Sequence, residues 1–179
     1  MVARAHVCAF LLMFAASHVC AGGWSNSSMQ KRYMRRCVAL AMEGTDPYGA
    51  LIADPATDTI LAEGRNHAGL NPMWHGEMAA IANLSALNPH TSIYAIAGGL
   101  ELYTTGEPCP MCSGCIAWSG FGRVVFGTTI DFIAEQGAQQ IMVSSAAVFN
   151  ATAFHNISVS GGVLHAVTDQ LYRRRSGQH

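Results

Sequence analysis

Apolar residues recur at helical spacing from Ser28 to Glu43, where Tyr33, Met34, Cys37, Val38, Leu40 and Ala41 line one side and Gly44 ends the run. This predicts a first helix. Two short β-type runs follow, Tyr48 to Ala53 and Thr59 to Glu63, and the Asp54-Pro55 turn formers between them predict a hairpin. Residues 64–74 are rich in Asn and Gly and read as a loop. Met78, Ala79, Ile81, Ala82 and Leu84 then give a second helix over His75 to Leu87, broken by Asn88-Pro89. Leu100 to Thr105 reads as a third strand. A helix opens at Cys109-Pro110 and runs to about Trp118, with proline where its missing N–H costs nothing. Arg123 to Thr128 is a fourth strand. Strands alternating with helices predict an α/β domain of three layers around an at least partly parallel sheet. Trp118 and Phe121 are expected in its core. Further on the pattern weakens: Ile130 to Gly137 reads as a short helix, Gln139 to Ser144 as strand or loop, and Gly162 to Arg174 as a final helix. No internal repeat is visible.

With 179 residues, half of them hydrophobic and 12% charged, the chain suits one folded domain rather than two or a disordered segment. Its start has a different character. Met1 to Arg4 is a short positive stretch, Val7 to Ala16 is an unbroken apolar or small run, and Val19-Cys20-Ala21 offers a small-residue cleavage site. The expectation is a secretory signal peptide over 1–21 and a mature domain over 22–179. The alternatives are a buried first helix or a membrane anchor, but the run falls short of the ~20 apolar residues that span a bilayer. Four of the seven asparagines, Asn26, Asn83, Asn150 and Asn156, sit in N-x-S/T glycosylation contexts. Chance placement would give about one. Together these predict a secreted, glycosylated, soluble product.

Loss of Arg4 with the leader leaves nine Lys and Arg against eleven Asp and Glu, a net charge of −2. The only dense basic stretches are Lys31-Arg32 with Arg35-Arg36, and Arg173 to Arg175. A binder of polymeric RNA or DNA shows a broader positive footprint, so that class is disfavoured. Cys37, Cys109, Cys112 and Cys115 stay in the mature chain. Four cysteines in an oxidising compartment suggest two disulfides, but Cys109 and Cys112 form a C-x-x-C after a proline, where a metal would protect the thiolates. Cys37 and Cys115 are left open between a disulfide, two buried thiols and a supporting place for Cys115 beside the metal.

The chemistry is concentrated in two short motifs. His75-Gly76-Glu77 and Pro108-Cys109-Pro110-Met111-Cys112 make an H-x-E followed by P-C-x-x-C, with 34 residues from His75 to Cys109. Either half alone is weak; together, each at a helix start, they form the zinc deaminase signature. Cys109 and Cys112 lie about one helical turn apart, so both sulfurs reach one point, and the positive helix end favours their thiolates. With His75 they supply three ligands for one Zn2+, leaving a tetrahedral position for water. A structural zinc would need a fourth ligand, for which only Cys115 is nearby. Glu77 is assigned as the catalytic proton carrier rather than as a ligand; an isolated glutamate there would merely complement the helix dipole.

The stretches Asn71 to Ile81 and Leu102 to Cys112 resemble the cytidine and deoxycytidylate deaminase superfamily, nearest its branch of guanine and tRNA adenosine deaminases. The resemblance covers roughly Ser28 to Thr129. It implies a three-layer α/β/α domain with a mixed five-stranded sheet, one catalytic zinc per chain and a homodimer. It further implies a base-contacting asparagine after the second strand, here Asn66, and a pocket wall from Thr105 to Pro108 that includes Glu107. Trp74 replaces a residue that is often small in relatives; it stacks on the base or closes the core. Asp131 and Tyr172 are the possible equivalents of an acidic residue and an aromatic tail that close the pocket in guanine deaminases. The expected substrate is therefore a small nucleobase or nucleoside, most of all a purine such as guanine. A cytosine or cytidine substrate is the alternative, a tRNA editor is disfavoured by charge and address, and a non-catalytic zinc-stabilised binding protein is the reading of another class.

Overall fold

A computed structural model of the chain describes residues 23–173. The leader expected over 1–21 therefore lies outside the described residues, as does the end of the last basic cluster. Helix α1 (Ser27–Glu43) starts where the Asn26 Oδ1 accepts hydrogen bonds from the Ser28 and Met29 amides, closing two of the amides a helix start leaves unpaired. It buries Tyr33, Met34, Cys37, Leu40 and Ala41, the stripe expected from its spacing. Strands β1 (Gly49–Asp54) and β2 (Thr59–Arg65) form the hairpin, their turn held by the Asp54 carboxylate, which accepts from the Ala56 amide and the Thr57 hydroxyl. Helix α2 (Gly76–Leu87) follows the loop; a short α3 (Ile93–Ile96) and a 3-10 turn over 97–99 lead into β3 (Glu101–Gly106). Helix α4 (Pro110–Ser119), β4 (Arg123–Thr128), α5 (Ile130–Glu135), α6 (Ser145–Asn150), β5 (Ser158–Ser160) and α7 (His165–Tyr172) complete the chain.

The five strands lie in the order β2-β1-β3-β4-β5. β1 is antiparallel to β2 and β3, whereas β3, β4 and β5 run parallel, so the sheet is mixed. One face packs Leu51, Ala53, Tyr103 and Val125 against α1; the other packs Ala50, Ile52, Leu102 and Val124 against α2, α4 and α6. Alternation along the strands supplies both faces. Helix α2 sits close on β2 because Gly64 lacks a side chain: a Cβ there would stand 2.2 Å from the Gly76 carbonyl oxygen and 2.3 Å from the Ala80 nitrogen.

Several expectations change. Residues 139–144 are loop, and α3, α6 and β5 had no recognisable period because they are only four, six and three residues long. Phe121 is buried, but Trp118 is 72% exposed. Helix α4 turns Cys112, Ser113, Ile116 and Ala117 inward, which leaves Trp118 on the outer side, stacked on Phe154 with centroids 4.5 Å apart. Cys37 and Cys115 are both free thiols, placed on opposite faces of the sheet, so no disulfide joins them. Asn26, Asn83, Asn150 and Asn156 are all exposed; the Asn83 side chain donates to the Glu63 carbonyl oxygen over 2.8 Å. No helix among the described residues is long and apolar enough to cross a membrane.

Candidate active site

The strand directions bring the carboxyl ends of β2, β3 and β4 to the same sheet edge as the amino end of β1. That edge is where open α/β sheets hold ligands, because the following loops and helix starts converge there. His75 is the residue before α2 and Cys109 the residue before α4, both in extended conformation, with ψ of 160° and 167°. Their backbones can thus turn into a helix while their side chains stay at its positive end. Cys112 follows one turn inside α4.

The His75 Nδ1 lies 3.7 Å from the Cys109 sulfur and 3.6 Å from the Cys112 sulfur. All three ligand atoms fall within 4.8 Å of one another. Tetrahedral zinc with ordinary Zn–S and Zn–N bonds places such atoms about 3.6 Å apart, so the trio fits the metal. Among the described residues this is the one group of three metal-binding side chains found. Cys115 is not part of it; its sulfur lies 4.0 Å from the Ser119 hydroxyl. A fourth protein ligand is therefore not supplied from that position, and the set matches the open site of catalytic zinc rather than a closed structural one.

The charge states follow from the same crowding. A hydrogen bond from the Cys112 thiol, aided by His75, holds Cys109 down to about 4. Cys112, as the donor and buried, is pushed up. Bonding to Cys109 raises His75. Glu77, only 3% exposed, is pushed up by burial. A carboxyl group that resists ionisation is suited to holding a proton as well as taking one.

His75, Glu77, Cys109 and Asn66 share a cleft of about 450 Å³ with Tyr48 and the loop over 138–141. Asn66 is buried and locked: its Oδ1 accepts from the Ala68 amide at 2.8 Å and from the Thr45 hydroxyl at 3.2 Å. Its Nδ2 is thereby the atom left to donate. A larger cleft of about 580 Å³ on the outer side of β2 contains none of the metal-binding trio, and it is this one that Trp74 lines, beside Arg65 and His67. Trp74 is 48% exposed and absent from the lining of the metal cleft, so it does not close the core.

The remaining expected contacts are mostly braces. Thr105 is buried, and its hydroxyl takes hydrogen bonds from the Gly49 amide and Tyr172 and gives one to the Pro47 carbonyl oxygen. Tyr172 is buried with its ring 5.2 Å from that of Tyr48, behind the cleft wall. Pro108 is buried, its carbonyl oxygen accepting from Ser113. Glu107 borders the cleft, but its two carboxylate oxygens are engaged by the Ile130 amide and by the amide and hydroxyl of Ser145. Asp131 is exposed on α5 and absent from the cleft lining, because the first turn of α5 faces solvent there. In its place stand residues that sequence reading passed over. Tyr48 stacks over His75 at 6.4 Å with 13° between planes, and the Gln140 side chain donates to its hydroxyl over 3.0 Å. Burial pushes the Tyr48 hydroxyl up to about 12. Tyr48 looked like a strand residue, and Gln140 lies in a segment without period, so neither carried a local signal.

Residues 27–128 match the family model for the cytidine and deoxycytidylate deaminase zinc-binding region. The chain is 32% identical over 99 residues to a probable cytosine deaminase of Schizosaccharomyces pombe, covering 53% of this chain and 57% of that one. It is 33% identical over 112 residues to a guanine deaminase of Bacillus subtilis, 59% and 68% of the two chains. It is 30% identical over 148 residues to a tRNA-specific adenosine deaminase of Buchnera aphidicola, 79% and 84%. The match thus spans a little over half the length of the fission yeast relative. Among solved structures, a guanine deaminase from Nitrosomonas europaea superposes with a TM-score of 0.68 at 19% identity over 96% of both chains. A mutant of NE0047 in complex with 8-azaguanine superposes with a TM-score of 0.70 at 22% identity, over 80% and 83%. These two likenesses establish the fold.

Proposed function

Given that the chain belongs to the family of the cytidine and deoxycytidylate deaminase zinc-binding region, we propose that it is a zinc-dependent hydrolase that releases ammonia from a nucleobase or nucleoside, with guanine or a related purine as its preferred substrate. The observation that carries this is the open three-ligand set of His75, Cys109 and Cys112 beside a buried carboxyl group in one cleft. When bound, zinc polarises water enough for it to act as a nucleophile near neutral pH. Glu77 accepts one proton of the attacking water and delivers it to the ring nitrogen next to the attacked carbon; it then takes the remaining proton from the hydroxyl group on that carbon and gives it to the departing amine as the C=O forms. A C–O bond forms, the C–N bond breaks, and one water is consumed for each ammonia released. Asn66 orients the base through its free Nδ2.

The guanine preference is supported by the B. subtilis relative and by the NE0047 structure with 8-azaguanine. The fungal cytosine deaminase supports a cytosine substrate as the second reading. A zinc-stabilised binding protein without catalysis has no use for a buried glutamate beside an open ligand set. The test is ammonia release across guanine, guanosine, adenine, adenosine, cytosine and cytidine, run beside Glu77→Gln. Activity on at least one base, lost in a variant that keeps its metal, supports the proposal; equal activity in variant and parent removes the role of Glu77.

The same reading takes the enzyme as a secreted glycoprotein acting as a homodimer. Its support is the anatomy of residues 1–21 and the exposure of all four glycosylation-context asparagines. Asn26 can carry a glycan on Nδ2 while Oδ1 still caps α1. An amino terminus near Gly22 in culture medium, a mass loss on enzymatic deglycosylation and a two-chain mass by light scattering are expected. An intact Met1 on a cytosolic product refutes the address.

A further inference from the structure

The outer wall of the metal cleft is the loop over 136–144, between α5 and α6, and it is fixed at its middle and at its far end. Glu107 accepts from the Ser145 amide just beyond that far end at 2.9 Å, and from the Ile130 amide at the start of α5, the helix that leads into the loop, at 3.1 Å. Its middle is held by Gln140, whose Nε2 donates to the Tyr48 hydroxyl at 3.0 Å across 92 residues of sequence. Tyr48 is itself fixed from behind by Tyr172 and lies parallel to the His75 ring. Gln140 is half-buried, so a carboxamide is held in a defined place beside the metal trio rather than left as a surface side chain.

The donors and acceptors that remain are specific. One N–H of Gln140 is spent on Tyr48, which leaves its Oε1 as an acceptor and its second N–H as a donor. Asn66, on the same cleft, has its Oδ1 spent on Ala68 and Thr45 and offers only a donor. We infer that Gln140, positioned by the Tyr48 hydroxyl, selects the base by pairing with a lactam edge, a ring N–H beside a C=O. A primary carboxamide is self-complementary to that edge, its oxygen meeting the N–H and its remaining N–H meeting the C=O. Guanine and cytosine carry such an edge and adenine does not. A neutral amide also adds no charge to a cleft that already contains the carboxyl groups of Asp46, Glu77 and Glu107. A site built to hydrogen-bond a group rejects the analogue that lacks it, because the polar atoms of the site are then left unpaired.

This inference rests on the deaminase reading, and the experiment separates the two. We would measure kcat and KM for guanine, cytosine and adenine in the parent and in Gln140→Ala, Gln140→Glu, Tyr48→Phe and the Tyr48→Phe/Gln140→Ala double variant. Zinc content and thermal unfolding are followed in each. Gln140→Ala is expected to lower kcat/KM on the favoured lactam base by about tenfold or more and to narrow its advantage over adenine by a similar factor. Gln140→Glu keeps the length but loses the donor, and should behave the same way. Tyr48→Phe keeps the ring and removes only the anchor, so it should raise KM more than it lowers kcat. The double variant should be no worse than Gln140→Ala alone, since the hydroxyl acts through the amide. A parent active on a base whose preference over adenine survives Gln140→Ala unchanged overturns the inference and leaves the deaminase reading intact. So does a parent that prefers adenine. A parent that loads zinc and releases ammonia from no base overturns the deaminase reading itself, and this inference with it.

Discussion

The two ends of the sheet bury polar groups to opposite purposes. At the amino end of β3 and β4, Glu101 is fully buried and accepts from the Ser25 amide, the Tyr103 hydroxyl and the Arg123 guanidinium at 2.9, 2.6 and 3.2 Å. Arg123 in turn donates to the Ser160 hydroxyl and lies over the Trp24 ring. Apart from the unpartnered Arg123 Nε, the groups of that cluster satisfy one another, and Glu101 is sealed from solvent. At the carboxyl end, His75, Cys109 and Cys112 aim three ligand atoms at one point, and Asn66 and Gln140 each keep a free amide atom facing a cleft. A saturated polar cluster holds strands together. A converging, unsaturated one is ready for a ligand.

Substitutions at the two ends should therefore fail in different ways. His75→Ala or Cys109→Ser removes a ligand, so zinc measured by atomic absorption should fall from one per chain to near none and ammonia release should vanish. Stripping the parent with a chelator should do the same and lower its unfolding temperature. Glu77→Gln should keep the zinc while turnover drops by about 10²–10⁴-fold, the contribution of general acid-base transfer. Retained turnover would place the proton transfer elsewhere.

At the other end, Glu101→Ala leaves a buried guanidinium without its carboxylate. Denaturant titration should show a loss of about 3–5 kcal/mol, while the zinc content and the activity of the folded fraction stay at parent level. A variant of unchanged stability that lost its zinc would erase the distinction between the ends. Glu107→Ala is intermediate, since it frees the Ile130 and Ser145 amides that hold the cleft wall; it should cost about 1–3 kcal/mol and raise KM. Cys115→Ser should change least, within about 1 kcal/mol and with one zinc retained. A loss of metal there would make Cys115 a ligand.

The sequence made much of this legible because its signals are local. The stripe of α1, the hairpin turn at Asp54-Pro55, and α2, β3, α4 and β4 all follow from spacing within a few residues. Residues 145–160 were not legible, since α6 and β5 are too short to show a period and β5 is polar at two of its three positions. Trp118 and Trp74 were misplaced for a related reason. A large apolar side chain reads as core in a sequence, yet the rotation of α4 and the course of the loop before α2 put both at the surface. Asp131 was selected through the resemblance to guanine deaminases, as the counterpart of their acidic residue after the fourth strand, and only the structure shows it exposed on α5 and outside the cleft lining.

The kind of chemistry was written in the chain: two cysteines one helical turn apart, a histidine two residues before a glutamate, and a proline that starts a helix at the right place. Those relations survive in any fold that forms the two helix starts, because they depend on backbone geometry over three or four residues. Whether the two motifs meet, and what walls surround them, depended on strand order and register. Gly64 lets α2 settle on β2, and the carboxyl ends of β2 and β3 open on one edge. Only there does Gln140 reach Tyr48. Contacts between distant residues are set by the packing of whole elements, and no short window of sequence contains that information.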